Sequence, residues 1–170
     1  MNNNPMRILG IDPGFGRIGY GIIEEKKGEW VHVSHGCIET PAGALFIERL
    51  KVLNVALEKI IATYQPTHGA VEELFFYKNV KTALDVGQAR GVILLTLVHA
   101  GIPVDEYTPL QVKQTMTGYG RADKSQIQAM VQILLHLPKE KLQDDAADAL
   151  AIALTAGAGM RFKELLRKSN

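Results

Sequence analysis

The chain holds one cysteine, Cys37, so no internal disulfide can form. With no Cys/His set at ligand spacing, structural zinc is also excluded, and a reducing compartment fits. His32, His35, His68, His99 and His136 read as ordinary surface or half-buried residues. Long apolar runs are missing too. The longest, residues 92–98, ends at His99, far short of the roughly 20 residues that span a bilayer. The leader MNNNP lacks the cationic and apolar pattern of a signal, so the chain is expected to stay in the cytoplasm. No internal repeat or low-complexity segment is present. The net charge is only +1, so bulk charge does not announce a polyanionic partner.

What remains is an ordinary globular composition. The 170 residues are 46% hydrophobic and 22% charged, enough for a full core in one domain spanning 1–170. Residues 1–5 read as a polar leader, and 158–170 as a basic tail expected to fray. Charge is unevenly spread. Residues 109–141 carry five bases against two acids, whereas 142–160 carry three acids and no base. An acidic spot beside basic stretches suits a metal next to a polyanion, though solvated faces share this pattern.

Residues 7–23, RILGIDPGFGRIGYGII, organise the chain. An apolar run breaks at Asp12-Pro13-Gly14 and resumes with Ile18, Tyr20 and Ile22. Pro13 cannot donate to a ladder, and Gly14 and Gly16 permit positive φ, so the break reads as a hairpin turn. Asp12 therefore ends a buried strand, where a carboxylate is expensive to desolvate unless cations or donors meet it. A lone turn aspartate more often bonds its own backbone.

Residues 29–39 form a third strand behind the turn Lys26-Lys27-Gly28. Helical spacing follows over 44–64, with Pro66 beyond its end. Residues 68–75 read as a fourth strand. A helix over 79–100 is capped by Asn79 and stopped by Gly101. A fifth strand covers 102–107. A short helix near 110–115 leads to the loop Thr117-Gly118-Tyr119-Gly120. Asp123 and Gln126 start a helix through Leu137, which Pro138 ends. The last helix runs from about 144 to 156. Leaving aside the short helix near 110–115, the order β-β-β-α-β-α-β-α-α predicts an α/β fold: a five-stranded mixed sheet flanked by helices.

Asp12, the pair Glu72 and Glu73, and Asp145 with Asp148 form an acidic set. Asp145 and Asp148 lie three apart at a helix start and share a face. Each has a bland reading, since acids in a first turn are usually caps. Together at the strand ends of an open sheet, they would repel unless cations neutralised them. All-oxygen ligands select Mg²⁺ or Mn²⁺, and such a cluster suits two-metal hydrolysis of a phosphodiester. Spacing alone leaves Glu72 against Glu73, and Asp145 against Asp144, undecided.

The motifs ILGIDPG, GRIGYG, VEELFF, GQARG, QVKQTMTG, DKSQ and DAADALAIA, in this order, resemble the RuvC family of Holliday-junction resolvases. The likeness covers residues 6–156. It implies an RNase H-like fold, a homodimer, and Mg²⁺-dependent paired nicking of four-way junctions in recombination and repair, with two ions per site. It places the catalytic, metal-holding acids at Asp12, Glu72, Asp145 and Asp148. Lys113 and Lys124 would contact DNA, Phe75 would stack on a base at the branch point, and the RuvA and RuvB motor would be a partner. Asp144 is an extra acid without an assigned role.

Independently of family, Lys113, Arg121 and Lys124 surround a Gly-rich loop and a helix start, a fitting phosphate clamp. Phe75, Phe76 and Tyr77 cannot all enter one core, so one ring is expected to be exposed and free to stack. Ala83, Gly87, Ala89 and Gly91 allow close helix approach, onto the sheet or across a dimer. Three alternatives stand beside the resolvase. An actin-like kinase fold needs two such domains. A non-catalytic junction-binding module has no use for clustered acids. Another RNase H-like nuclease would differ only in taking other branched DNA or RNA–DNA hybrids.

Overall fold

Ile8, Leu9 and Ile11 are fully buried in β1 (Arg7–Asp12), the central strand of the sheet. Both faces of this strand are covered, so its burial runs unbroken instead of alternating. The computed structural model describes residues 5–73, 80–138, 140 and 142–168. β2 (Arg17–Lys26) pairs antiparallel with β1, setting Asp12 opposite Gly19. β3 (Glu29–Glu39) pairs antiparallel with β2. Their turn places Lys27 and Gly28 at φ 52° and 84°, the pair of positive values that a two-residue hairpin turn requires. β4 (His68–Glu72) and β5 (Val104–Tyr107) add parallel strands, giving the order β3-β2-β1-β4-β5. This is the predicted five-stranded mixed sheet.

Helices close both faces. Leu9, Ile11, Ile18, Ile22 and Val71 pack beneath α1 (Phe46–Tyr64) and α2 (Val80–His99). Ile8, Ile23 and Ala70 pack beneath α3 (Pro109–Thr117), α4 (Lys124–Leu134) and α5 (Asp144–Lys168). Each fully buried Ile or Leu is worth roughly 1.5–3 kcal/mol, so the two layers hold the sheet rigidly. Alternation along β1 puts Gly10 and Asp12 on the α5 face.

That face is cut for α5. A Cβ on Gly10 would collide with the carbonyl of Ala149, and one on Gly19 with the carbonyl of Asp145. Opposite them α5 presents Ala146, Ala149 and Ala153, all fully buried. Small residues on both sides let backbone approach backbone, and the first turns of α5 come to rest beside Asp12.

Several boundaries differ from expectation. Gly14 and Gly16 are not among the glycines at positive φ. Gly14 instead answers a close approach, since a Cβ there would meet the carbonyl of Arg17. α4 stops at Leu134, short of Leu137, because the chain folds back: Leu137 N donates to Gln132 O at 2.9 Å and its side chain joins the core. α5 does not end near Ala156 but continues to Lys168. Gly157, just past the expected end, is where the indole of Trp30 lies against the helix. β4 ends at Glu72, and the expected cap Asn79 and the aromatics Phe75, Phe76 and Tyr77 lie outside the described residues. In α2, Ala89 is buried, but Gly87 and Gly91 face open space.

Candidate active site

The parallel register pairs Ile11 with Val71, so the next residues, Asp12 and Glu72, end neighbouring strands side by side. Both lie on the α5 face, two residues beyond Gly10 and Ala70. Glu73 follows on the other alternation and binds Tyr107 O through its backbone N–H at 2.8 Å. Asp148, one turn into α5, reaches the same place from above. Asp12, Glu72 and Asp148 line one cleft of about 300 Å³ together with Lys113 and Lys124. Pro109, Val112 and Ile127 supply its apolar wall.

Proximity shows in the protonation of these groups. Burial, then the charges of Glu72, Asp148 and Asp145, pushes the Asp12 carboxyl up to about 8, with Lys124 pulling the other way. Burial and then Asp148 push Glu72 up to about 7 against Lys124 and Lys113. Repulsion is relieved by two ion pairs. Lys124 Nζ stands 3.1 Å from Asp148 Oδ2, and Arg17 Nη1 stands 3.6 Å from Asp145 Oδ2. Hydrogen bonding to Asp148 raises the Lys124 ammonium in turn. With two acids turned toward cations, no group of three or more acidic, His or Cys side chains forms a ready metal cage among the described residues.

Of the predicted site residues, Asp12, Glu72, Asp148, Lys113 and Lys124 thus converge. Asp145 borders the cleft beside Arg17, outside the lining. Arg121 is exposed on the turn before α4 and is not a lining residue either. Phase and capping explain the two lysines. A capping box between Thr108 and Gln111 starts α3 and orients Lys113, and one between Asp123 and Gln126 makes Lys124 the first residue of α4. Asp144 accepts a hydrogen bond from Gln128 Nε2 at 2.9 Å, tying α5 to α4.

Sequence reasoning missed Arg17 and Arg90. Arg90 Nε donates to Glu72 O at 3.2 Å while its guanidinium pairs with Glu106, fixing the end of β4. Nothing local marks an arginine on a helix as a strand anchor. The Gly10 and Gly19 seat was readable in principle, as glycines interrupting strands otherwise rich in isoleucine.

Residues 8–156 match the family described as crossover junction endodeoxyribonuclease RuvC. The chain belongs to the RuvC family. RuvC of Heliobacterium modesticaldum is 55% identical over 149 residues, covering 88% of this chain and 92% of that one. RuvC of Petrotoga mobilis is 52% identical over 152 residues, covering 89% and 93%. The solved Thermus thermophilus RuvC superposes with a TM-score of 0.85 at 35% identity, covering 93% of this chain and 97% of that one. The same Thermus RuvC in complex with Holliday junction substrate gives 0.87 at 34%, covering 93% and 96%. The sheet and its helices are therefore the RNase H-like arrangement of RuvC structures. Among the described residues, no helix is long and apolar enough to cross a membrane.

Proposed function

We propose that this RuvC-family endodeoxyribonuclease resolves Holliday junctions by symmetric nicks that leave 5′-phosphate and 3′-hydroxyl ends. The observation that carries the reading is the convergence of Asp12, Glu72 and Asp148 on one cleft that also holds Lys113 and Lys124. Binding DNA alone does not call for repelling carboxylates at the contact point. The all-oxygen, mutually repelling donor set fits hard divalent cations, Mg²⁺ with Mn²⁺ substituting, and we assign two per site. Asp12, Glu72 and Asp148 would hold them, with Asp145 completing the set. When bound, such ions neutralise the phosphate and make water a better nucleophile.

The protein groups do the rest. Lys124, at the first position of α4, and Lys113 on α3 offer cations to the phosphate flanking the cut, and the amide end of α4 adds donors. Pro109, Val112 and Ile127 narrow the cleft and limit bulk water. Arg121 serves as an outer backbone contact. Phe75 is assigned to base stacking at the branch point on its family position alone.

The pairing of nicks calls for two sites, and α2 supports a homodimer. Val80, Leu84, Leu95 and Val98 are exposed along it, with Gly87 and Gly91 between them. Spacings of three and four place these on one stripe, suited to an isologous contact. We further propose a cytoplasmic location and the RuvA and RuvB motor as partner, readings that the family likeness supports.

The test is cleavage of a mobile four-way junction with Mg²⁺, beside linear duplex and RNA–DNA hybrid controls. Asp12→Asn should bind the junction and lose cutting by at least about 100-fold. Normal cutting by this variant would place the chemistry elsewhere. Preferential cutting of the hybrid would identify a different RNase H-like nuclease.

A further inference from the structure

The turn between Asp12 and Arg17 connects two of the four acids. Asp12 stands at its start, and Arg17 at its end pairs with Asp145 at 3.6 Å. Within it Pro13 is buried, while Gly14 and Gly16 have no side chain with which to anchor the turn. Asp12 sits there against the repulsion of Glu72 and Asp148, so something must hold the turn in place.

Arg49, in the first turn of α1, meets that need. Its guanidinium carbon lies 3.6 Å from the centre of the Phe15 ring. Its Nη2 donates to Phe15 O at 3.2 Å, and its Nε donates to Thr40 Oγ1 at 3.0 Å. Thr40 Oγ1 donates to the same Phe15 carbonyl at 2.8 Å, and Thr40 N to Gly16 O at 3.0 Å. Phe15 also stacks on Phe46 of α1, with ring centres 4.9 Å apart and planes 22° from parallel. The tip of the turn is thus gripped from ring and carbonyl at once by a side chain that does not line the cleft.

We infer that Arg49 is a positioning residue for the nuclease site, clamping the 12–17 turn so that Asp12 and the Arg17–Asp145 pair keep their places. The inference rests on the nuclease reading above. A planar fork donating in two directions while covering a ring is chemistry that lysine cannot reproduce. Misplacement of a reacting group by about 1 Å can slow a reaction by about 100-fold, so a small slip of this turn is enough to matter.

The test compares wild type with Arg49→Met, which keeps the length and apolar packing of the side chain. Junction affinity without divalent ions should stay within about twofold, while single-turnover cleavage at saturating enzyme slows by about tenfold or more. A second readout needs no DNA. The Mn²⁺ concentration giving half of the thermal stabilisation should rise several-fold, and Arg49→Lys should recover only part of either loss. A simple structural brace would lower the melting temperature yet leave the cleavage rate and Mn²⁺ midpoint of the folded protein unchanged, and that result overturns the inference. Loss of junction affinity would overturn it as well, making Arg49 a phosphate contact. If Arg49→Met does not fold, Thr40→Val breaks the same clamp and is held to the same outcomes. Wild type that leaves junctions intact removes the nuclease reading, and the Mn²⁺ midpoint still decides for or against the clamp.

Discussion

Asp12 lives in a conflict between burial and charge. Its carboxyl is pushed up to about 8, whereas an unfolded chain releases that proton near pH 4. Between these values the folded state holds a proton that the unfolded state has lost. Stability therefore falls as pH rises from about 4 to about 8, and this penalty is fully present above that window. Asp12→Asn should raise the melting temperature at pH 8.5 by roughly 5 °C, the response of a domain this size to about 2 kcal/mol. Calorimetry should show the gain shrinking toward pH 4.5. A gain that ignores pH would mean that the carboxyl is not repelled. Lys124 plays the opposite part, a cation beside acids that the proposed function sets against the phosphate. Lys124→Ala should weaken junction binding, with the slope of log affinity against log salt falling by about one. An unchanged slope would remove Lys124 from the DNA contact.

At the scale of elements, the placement of α5 decides whether the acids meet. The helix settles on β1 and β2 only because Gly10 and Gly19 leave room for its backbone. Gly10→Ala would set a methyl group against the carbonyl of Ala149, with Ala153 close behind, and no flexible side chain there can yield. Overpacking of this kind costs about 1–3 kcal/mol and occasionally more. It should also lift Asp148 away from Asp12. We expect a melting temperature lower by at least about 5 °C and a cleavage rate reduced well beyond what the lost stability explains. Full activity at a temperature where the variant is folded would show that the seat serves stability alone.

For the whole molecule, the two helical layers are unequal. The α3, α4 and α5 side carries the site, while the α1 and α2 side presents the exposed stripe of Val80, Leu84, Leu95 and Val98. Leu84→Glu would put a charge into an isologous contact twice over, once from each protomer. Sedimentation should then show monomers, with paired nicking lost before single nicking. A variant that stays dimeric would move the interface off α2.

The strands, their order along the chain, the Asp123–Gln126 capping box and the candidate acids were legible because they rest on local rules. Apolar periodicity, turn residues and caps act within a few positions, and motif order linked the chain to a family. Spacing could not separate Glu72 from Glu73, since that choice depends on strand register across a gap of sixty residues. Nor could it see that Asp148 and Asp145 turn to Lys124 and Arg17, or that Gly157 seats Trp30 within a longer helix. Those outcomes are settled by which surfaces come within contact distance, a property of the packed sheet and helices and not of any short stretch. The sequence by itself determined which groups were available for chemistry, and the tertiary structure decided which of them share a cleft.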